Sequence, residues 1–311
     1  MKVSIVLPSV SYREGPAGVS TLIRAIEATG YHELAIFDHV LMGHPTEGRD
    51  RGPYASTMPI LEALTTLSYA ASITSTIGLA TTVLVLPQRQ VALVAKQVAT
   101  LDTLSGGRVR LGLGLGWQAS EFHALGEDFT NRGRRFDEGV ALLRRYWDEP
   151  SVDFDGRWYQ AEAMALEPKP PQGGRLPIWI GGGVPRTLER VAAYGDGWIG
   201  LFVKDDDTAR RLMGKIRSLA AEAGRDPAEI GTQVSLAPHG GGSQREFVAD
   251  VLRVRDRYVQ LRDLGVDRTS LDLVGAFQSG RRTVESLVDY LGELWEVLGP
   301  EIPDHPPKGA P

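Results

Sequence analysis

Apolar runs with strand periodicity and segments with helical periodicity alternate eight times along this chain, and that rhythm restricts the fold more than any single motif does. The first run, 2–7, alternates Val3, Ile5 and Leu7 before Pro8. Val19, Leu22, Ile23 and Ile26 then recur at helical spacing up to Gly30, a residue suited to the left-handed turn that ends helices. Further strands are predicted over 34–37, 77–86, 109–116, 178–180, around 197–199, and over 230–236 and 268–273. Helices are predicted from Pro59 to 71 and over 91–105, 136–147, 185–194, 206–222, 246–264 and 283–298. Eight strand–helix units in 311 residues fit one α/β domain, a (β/α)8 TIM barrel over 1–298, whose site lies on the loops after the strand C-termini. The rhythm breaks once, after the fourth helix. An insertion at about 149–176 carries Phe154, Trp158, Tyr159 and a proline-rich exit, and a disordered tail is expected over 299–311.

Within the fourth strand, Leu111, Leu113 and Leu115 alternate with Gly112, Gly114 and Gly116. A period of two puts the glycines on one face, and interior glycines weaken a strand, so the bare face marks a place where something approaches the backbone. A bound ring system and interdigitating neighbour side chains are the two candidates. The spacing is GxGxG inside the apolar run, not GxGxxG after it, which discounts a dinucleotide-binding fingerprint.

Composition removes several function classes. The 34 basic and 39 acidic residues are spread along the chain and leave a net charge of −5, so neither a nucleic-acid surface nor a polybasic membrane patch is marked. With no cysteine there is no disulfide framework or thiolate nucleophile, and the six histidines show no metal-ligand spacing. No signal peptide or membrane span is read, so the expected setting is cytoplasmic.

Three places carry candidate chemistry. Asp38-His39 stands at the end of the second strand: His39 is suited to proton donation near neutral pH, and Asp38 would fix its tautomer, line a pocket or cap local backbone. Glu121, just past the glycine-faced strand and Trp117, reads either as a catalytic pocket carboxylate or as a solvated helix-start residue. Gly181-Gly182-Gly183-Val184, followed by Pro185, is a glycine loop feeding a helix start, where backbone N–H groups suit a phosphate; a plain tight turn is the alternative. Arg132, Arg134 and Arg135 precede Asp137 and Glu138, a pattern read as ion pairs bracing the fourth helix.

Taken in order, several stretches resemble the bacterial luciferase-like monooxygenase superfamily, which holds flavin-dependent monooxygenases and enzymes using the deazaflavin coenzyme F420. They are Phe37-Asp38-His39, the 79–86 strand, Pro87-Gln88-Arg89, Leu101 to Arg108, the GLGLGW run with Glu121, Glu167 to Pro170, Pro177 to Gly182, and Gly195 to Trp198. The resemblance implies a TIM barrel with the cofactor ring in its C-terminal mouth and the 181–184 loop on the cofactor phosphate. It implies His39 near the reactive ring edge and a bulge with a non-prolyl cis peptide at Thr81-Thr82-Val83 behind the ring. Gly114, Gly116, Trp117 and Asp38 complete the cofactor-binding set. Trp117 stands where the branch's sugar-phosphate dehydrogenases have a catalytic glutamate, which argues against that reaction. The expected function is hydride transfer between F420 and an organic substrate, a small molecule or peptide, by a homodimer. The alternatives are an FMN-dependent monooxygenase and a non-catalytic flavin- or deazaflavin-binding protein.

Overall fold

The computed structural model describes residues 1–50, 52, 55–201, 203, 205–237 and 244–302. Eight parallel strands close into a barrel ringed by helices: Lys2–Val6, Glu33–Ile36, Gly78–Thr81, Val109–Gly114, Ile178–Gly181, Gly197–Gly200, Gly231–Ser235 and Arg268–Asp272. The first strand pairs with the eighth in parallel register from Lys2↔Arg268 to Val6↔Asp272. Val3, Ile5, Leu34, Leu79, Leu111, Leu113, Ile178 and Leu271 are wholly buried, which is why these runs read as nearly continuous apolar strands. The insertion forms an antiparallel hairpin, Val152–Asp155 with Gln160–Met164. No helix among the described residues is long and apolar enough to cross a membrane. Most of the predicted tail, 303–311, and positions 238–243 lie outside the described residues.

By packing, the chain divides into two compact units. One comprises Met1–Ala35, Thr76–Gly78 and the chain from Gly182 on; the other comprises Ile36–Ser75 and Leu79–Gly181. In the first, Gly30 takes φ 104° at the end of helix Gly15–Thr29, as the sequence predicts. Tyr31 meets Trp295 edge-on at 4.6 Å and donates its hydroxyl to the Leu291 carbonyl at 2.9 Å. In the second, Trp147 donates its indole N–H to the Ala95 carbonyl at 3.0 Å, tying helix Arg132–Asp148 to helix Val91–Ser105.

Three predicted elements differ in the structure, each for a local reason. The helix expected from Pro59 starts at Ala63, because the Glu62 side chain accepts the Thr65 N–H at 2.7 Å and acts as the cap. The helix expected over 246–264 is two, Gln244–Val248 and Val251–Asp263, divided where the Asp250 carboxylate accepts the Leu252 and Arg253 N–H groups. The strand expected over 77–86 stops at Thr81 and resumes as Leu84–Val85, which pairs with Leu113 and Gly114.

One buried histidine makes stability pH-dependent. His32 Nδ1 accepts the Val3 N–H at 3.1 Å, so the fold requires that nitrogen unprotonated. Burial first, then the charges of Lys2 and Arg268, push its pKa down to about 4, whereas an unfolded histidine titrates near 6.5. The unfolded state therefore binds the proton first. This contribution is complete above pH ~6.5 and is lost as pH falls toward ~4. Urea midpoints should show it as about 1–2 kcal/mol of acid sensitivity, discounted for partial exposure, that His32→Gln lacks. Equal acid sensitivity in both proteins would remove His32 as the cause.

Candidate functional site

In the second unit, the chain leaving strand Glu33–Ile36 is clamped by two side chains at the start of the short helix Ala119–Ala124. Glu121 is only 2% exposed; its Oε1 accepts the N–H groups of Val40 at 2.7 Å and Leu41 at 3.0 Å. Its Oε2 lies 2.9 Å from His39 Nδ1. The Gln118 amide accepts the Gly43 N–H at 3.0 Å and donates to the Leu41 carbonyl at 2.8 Å. Burial raises the Glu121 pKa, but the hydrogen bonds from His39 and the Leu41 amide outweigh it and hold the carboxyl below its ordinary range. An ionised Glu121 is only an acceptor, so Nδ1 carries the hydrogen and proton exchange in His39 falls to Nε2. His39 itself is 8% exposed, and the half-exposed Trp117 ring stands edge-on to it at 5.5 Å.

Asp38 points elsewhere. Its Oδ1 lies 2.8 Å from Arg89 and its Oδ2 accepts the Val85 N–H at 3.0 Å, so it holds the resumed third strand and not the His39 ring. The expected orienting role thus belongs to Glu121. Arg89 also reaches Glu62 at 3.0 Å. Burial pushes the Asp38 pKa up, while the same pairing keeps Arg89 more firmly charged; the close guanidinium keeps Asp38 an anion at neutral pH.

Beside it, the Thr81 hydroxyl donates to the Gly112 carbonyl at 2.6 Å, the Thr82 N–H donates to the Ile36 carbonyl at 2.7 Å, and the Thr82-Val83 peptide is cis, where the resemblance places it. The glycine face is not bare. A Cβ on Gly114 would lie 2.4 Å from Val83 Cγ2, and one on Gly116 would lie 2.7 Å from both Phe122 and Val85. Neighbouring side chains therefore interdigitate there, and neither position leaves room over its Cα for a ring.

In the first unit, Gly182 has φ 127° and its N–H donates to the Ile199 carbonyl at 3.0 Å, so it is a sheet donor and not an anion donor. Its carbonyl accepts the N–H of the buried Trp198 at 2.6 Å. Helix Pro185–Tyr194, which the loop enters, has no side-chain cap, and Val184 is 61% exposed at its start. A Cβ on Gly183 would meet nothing nearer than Leu212 at 3.7 Å. The N–H groups of Gly183, Val184 and Arg186 stand at this uncapped helix start, where a helix has no intrahelical acceptor for them. At the end of the eighth strand, Asp272 accepts the Val274 N–H at 2.8 Å, and burial pushes its carboxyl up to about 6.

The basic cluster braces its surroundings, as the sequence pattern suggests, and several of its partners lie outside the run 132–138. Arg135 pairs with Glu127, Arg132 donates to the Phe129 carbonyl at 2.8 Å and lies over the Phe129 ring, and Glu138 accepts the backbone N–H groups of Arg157, Trp158 and Tyr159 in the hairpin. Sequence reasoning missed Gln118, the Asp38–Arg89 pairing and Gln88. Gln88 is 6% exposed with neither amide atom in a well-formed hydrogen bond, though its side chain favours the ionised form of Glu121. Glutamine inside an apolar run directly after a strand was the available signal.

Against known proteins, the family model described as luciferase-like monooxygenase matches residues 1–305. An uncharacterised protein of Mycobacterium tuberculosis is 32% identical over 218 residues, 67% of this chain and 74% of the relative. The F420-dependent hydroxymycolic acid dehydrogenase of the same organism is 30% identical over 216 residues, 68% of this chain and 56% of that one. Among solved structures, monooxygenase RslO1 from Streptomyces bottropensis superposes with a TM-score of 0.77 at 21% identity, covering 97% of this chain and 99% of that one.

Proposed function

Because the chain belongs to the luciferase-like monooxygenase family, we propose that it is an oxidoreductase that moves a hydride between coenzyme F420 and an organic substrate, most readily as an F420H2-dependent reduction. The observation that carries this reading is the buried His39–Glu121 pair at the end of a barrel strand, where enzymes of this fold build their sites. The F420-dependent relative supports the choice of cofactor. When bound, the cofactor supplies the hydride chemistry. The protein binds, orients and handles the proton. Glu121 accepts from Nδ1–H, so in reduction it is the imidazolium of His39 that gives its Nε2 proton to the substrate oxygen, leaving the Nδ1–H tautomer, and in the reverse direction that neutral tautomer takes the proton at Nε2. Trp117 forms an aromatic wall against His39, and the Gly183–Arg186 amides receive a phosphate.

Purification from a host lacking F420 tests the cofactor. A colourless protein that binds added F420 at about micromolar Kd supports the reading. A tightly bound FMN spectrum would replace it with flavin-dependent monooxygenation, the second reading, in keeping with the monooxygenase description of the matching family. The homodimer belongs to the same proposal: Tyr69, Leu93 and Leu104 stand exposed on neighbouring helices, Ala63–Ile73 and Val91–Ser105. Light scattering at twice the 33.8 kDa chain mass supports it, and a monomer mass ends it.

The phosphate seat is best probed at Gly183. A side chain at Gly182 would strain a backbone at φ 127°, confusing fold with binding, whereas Gly183 has open space. Gly183→Val should therefore weaken cofactor binding by about tenfold or more, ~1.4 kcal/mol, while leaving the urea midpoint in place. Unchanged affinity in the folded variant would move the phosphate elsewhere.

A further inference from the structure

Three arginines of the first unit line an open cleft of about 430 Å³ with no acid in its wall among the described residues: the lining is Arg13, Arg245, Phe277, Gln278 and Arg282. Arg13 lies in the turn Ser9–Glu14 after the first strand, its guanidinium carbon 5.8 Å from the Phe277 ring centroid. Arg245 lies in Gln244–Val248 after the seventh strand; Phe277 and Gln278 end Val274–Gln278 after the eighth, and Arg282 follows. The cavity is thus built from segments that follow the C-terminal ends of strands one, seven and eight, the side on which barrel enzymes hold their ligands.

Its charge is uncompensated from within. Among the described residues none of the three arginines makes an ion pair, although the adjacent Arg281 does, with Glu293. Three like charges around one cavity repel one another, and an anion placed among them relieves that repulsion. The chain as a whole carries −5, so a general excess of basic residues does not account for the cluster. Guanidinium forks match carboxylate and phosphate oxygens two at a time, and Phe277 gives Arg13 an aromatic surface to rest against.

We propose that this cavity is a binding subsite for a doubly charged anionic group, a phosphate or a pair of carboxylates. The anion site stands on the arginines alone; naming its source rests on the oxidoreductase reading, under which the group belongs either to the substrate or to the glutamate tail of F420, whose phosphate is assigned to the Gly183–Arg186 amides. In the first case the substrate class is an organic acid or phosphate.

Inorganic phosphate is the first probe, titrated into the full chain at constant ionic strength and followed by phosphorus NMR line broadening. Wild type should bind it saturably, and the Arg13→Gln/Arg245→Gln/Arg282→Gln protein should lose about tenfold or more in affinity with an unchanged circular dichroism spectrum. No saturable binding in wild type, or equal affinity in the triple variant, overturns the subsite. The second arm compares F420 carrying long and short glutamate tails. Preferential weakening of the long-tailed form in the variant assigns the site to the cofactor, and unchanged affinity for both forms assigns it to the substrate. A protein that binds no F420 would end the cofactor reading while the phosphate titration still decides the anion site.

Discussion

Replacing Arg89 with methionine should lower stability by about 3–5 kcal/mol, because it leaves the Asp38 carboxylate buried with the Val85 N–H as its remaining hydrogen-bond donor among the described residues. Asp38 is 4% exposed and Arg89 supplies its counter-charge at 2.8 Å. Glu62 loses a partner as well, but it is far more exposed and contributes little. The sign of the pH dependence identifies the mechanism. With Arg89 gone, burial and the Glu62 charge are opposed only by the Val85 hydrogen bond, and the folded pKa of Asp38 rises further above the unfolded value of about 3.9. The folded variant then binds a proton that the unfolded chain does not, so the deficit is full near neutral pH and shrinks as pH falls through the raised folded pKa. Urea midpoints of wild type and Arg89→Met between pH 7 and 4.5 measure this. Asp38→Asn/Arg89→Met, which removes both charges, should recover much of the loss. Equal midpoints for wild type and the single variant would show that the pair contributes nothing to stability.

What the sequence made legible follows from the range of the interactions involved. The barrel was readable because the first six strands are largely buried and therefore mostly apolar over a short run, and because Gly30 and Pro185 mark helix ends through their own backbone preferences. Those are local causes. The partners in the candidate site are not local: Asp38 meets Arg89 across 51 residues and His39 meets Glu121 across 82. No periodicity says which acid turns toward the imidazole, so the adjacent Asp38 stayed open between orienting His39, lining a pocket and bonding nearby backbone, and its contact with the Val85 N–H agrees with the last. The glycine face shows the same limit. Gly114 and Gly116 do mark a close approach, yet it is made by Val83, Val85 and Phe122, whose positions depend on how the third strand resumes. Thr82-Val83 reads as ordinary β-branched strand by composition, so only the family resemblance pointed to an irregularity there.

That geometry makes His39 the residue on which enzyme and mere cofactor carrier part. Its ring is held on one side by an ionised Glu121 that also fixes the Val40 and Leu41 amides, so its orientation is set by the fold before any substrate arrives. His39→Ala removes the proton-exchanging Nε2 and should cost turnover about 10²–10⁴-fold. His39→Gln keeps polar bulk beside Trp117 but cannot exchange the proton, and should lose a similar factor. Cofactor Kd, read by fluorescence titration, should move little in either, because the phosphate and ring contacts proposed for binding lie with other residues. Glu121→Gln should fall between wild type and these variants: the ring stays in place, but a neutral amide offers either a donor or an acceptor to Nδ1 and no longer enforces one tautomer. Its loss belongs in kcat with KM nearly unchanged, the signature of an interaction that matters in the transition state. Full turnover in both His39 variants would reduce His39 to a pocket wall and hand the proton to another group. Cofactor affinity falling in parallel with turnover would make it a binding residue, and the catalytic role would then pass from the His39–Glu121 pair altogether.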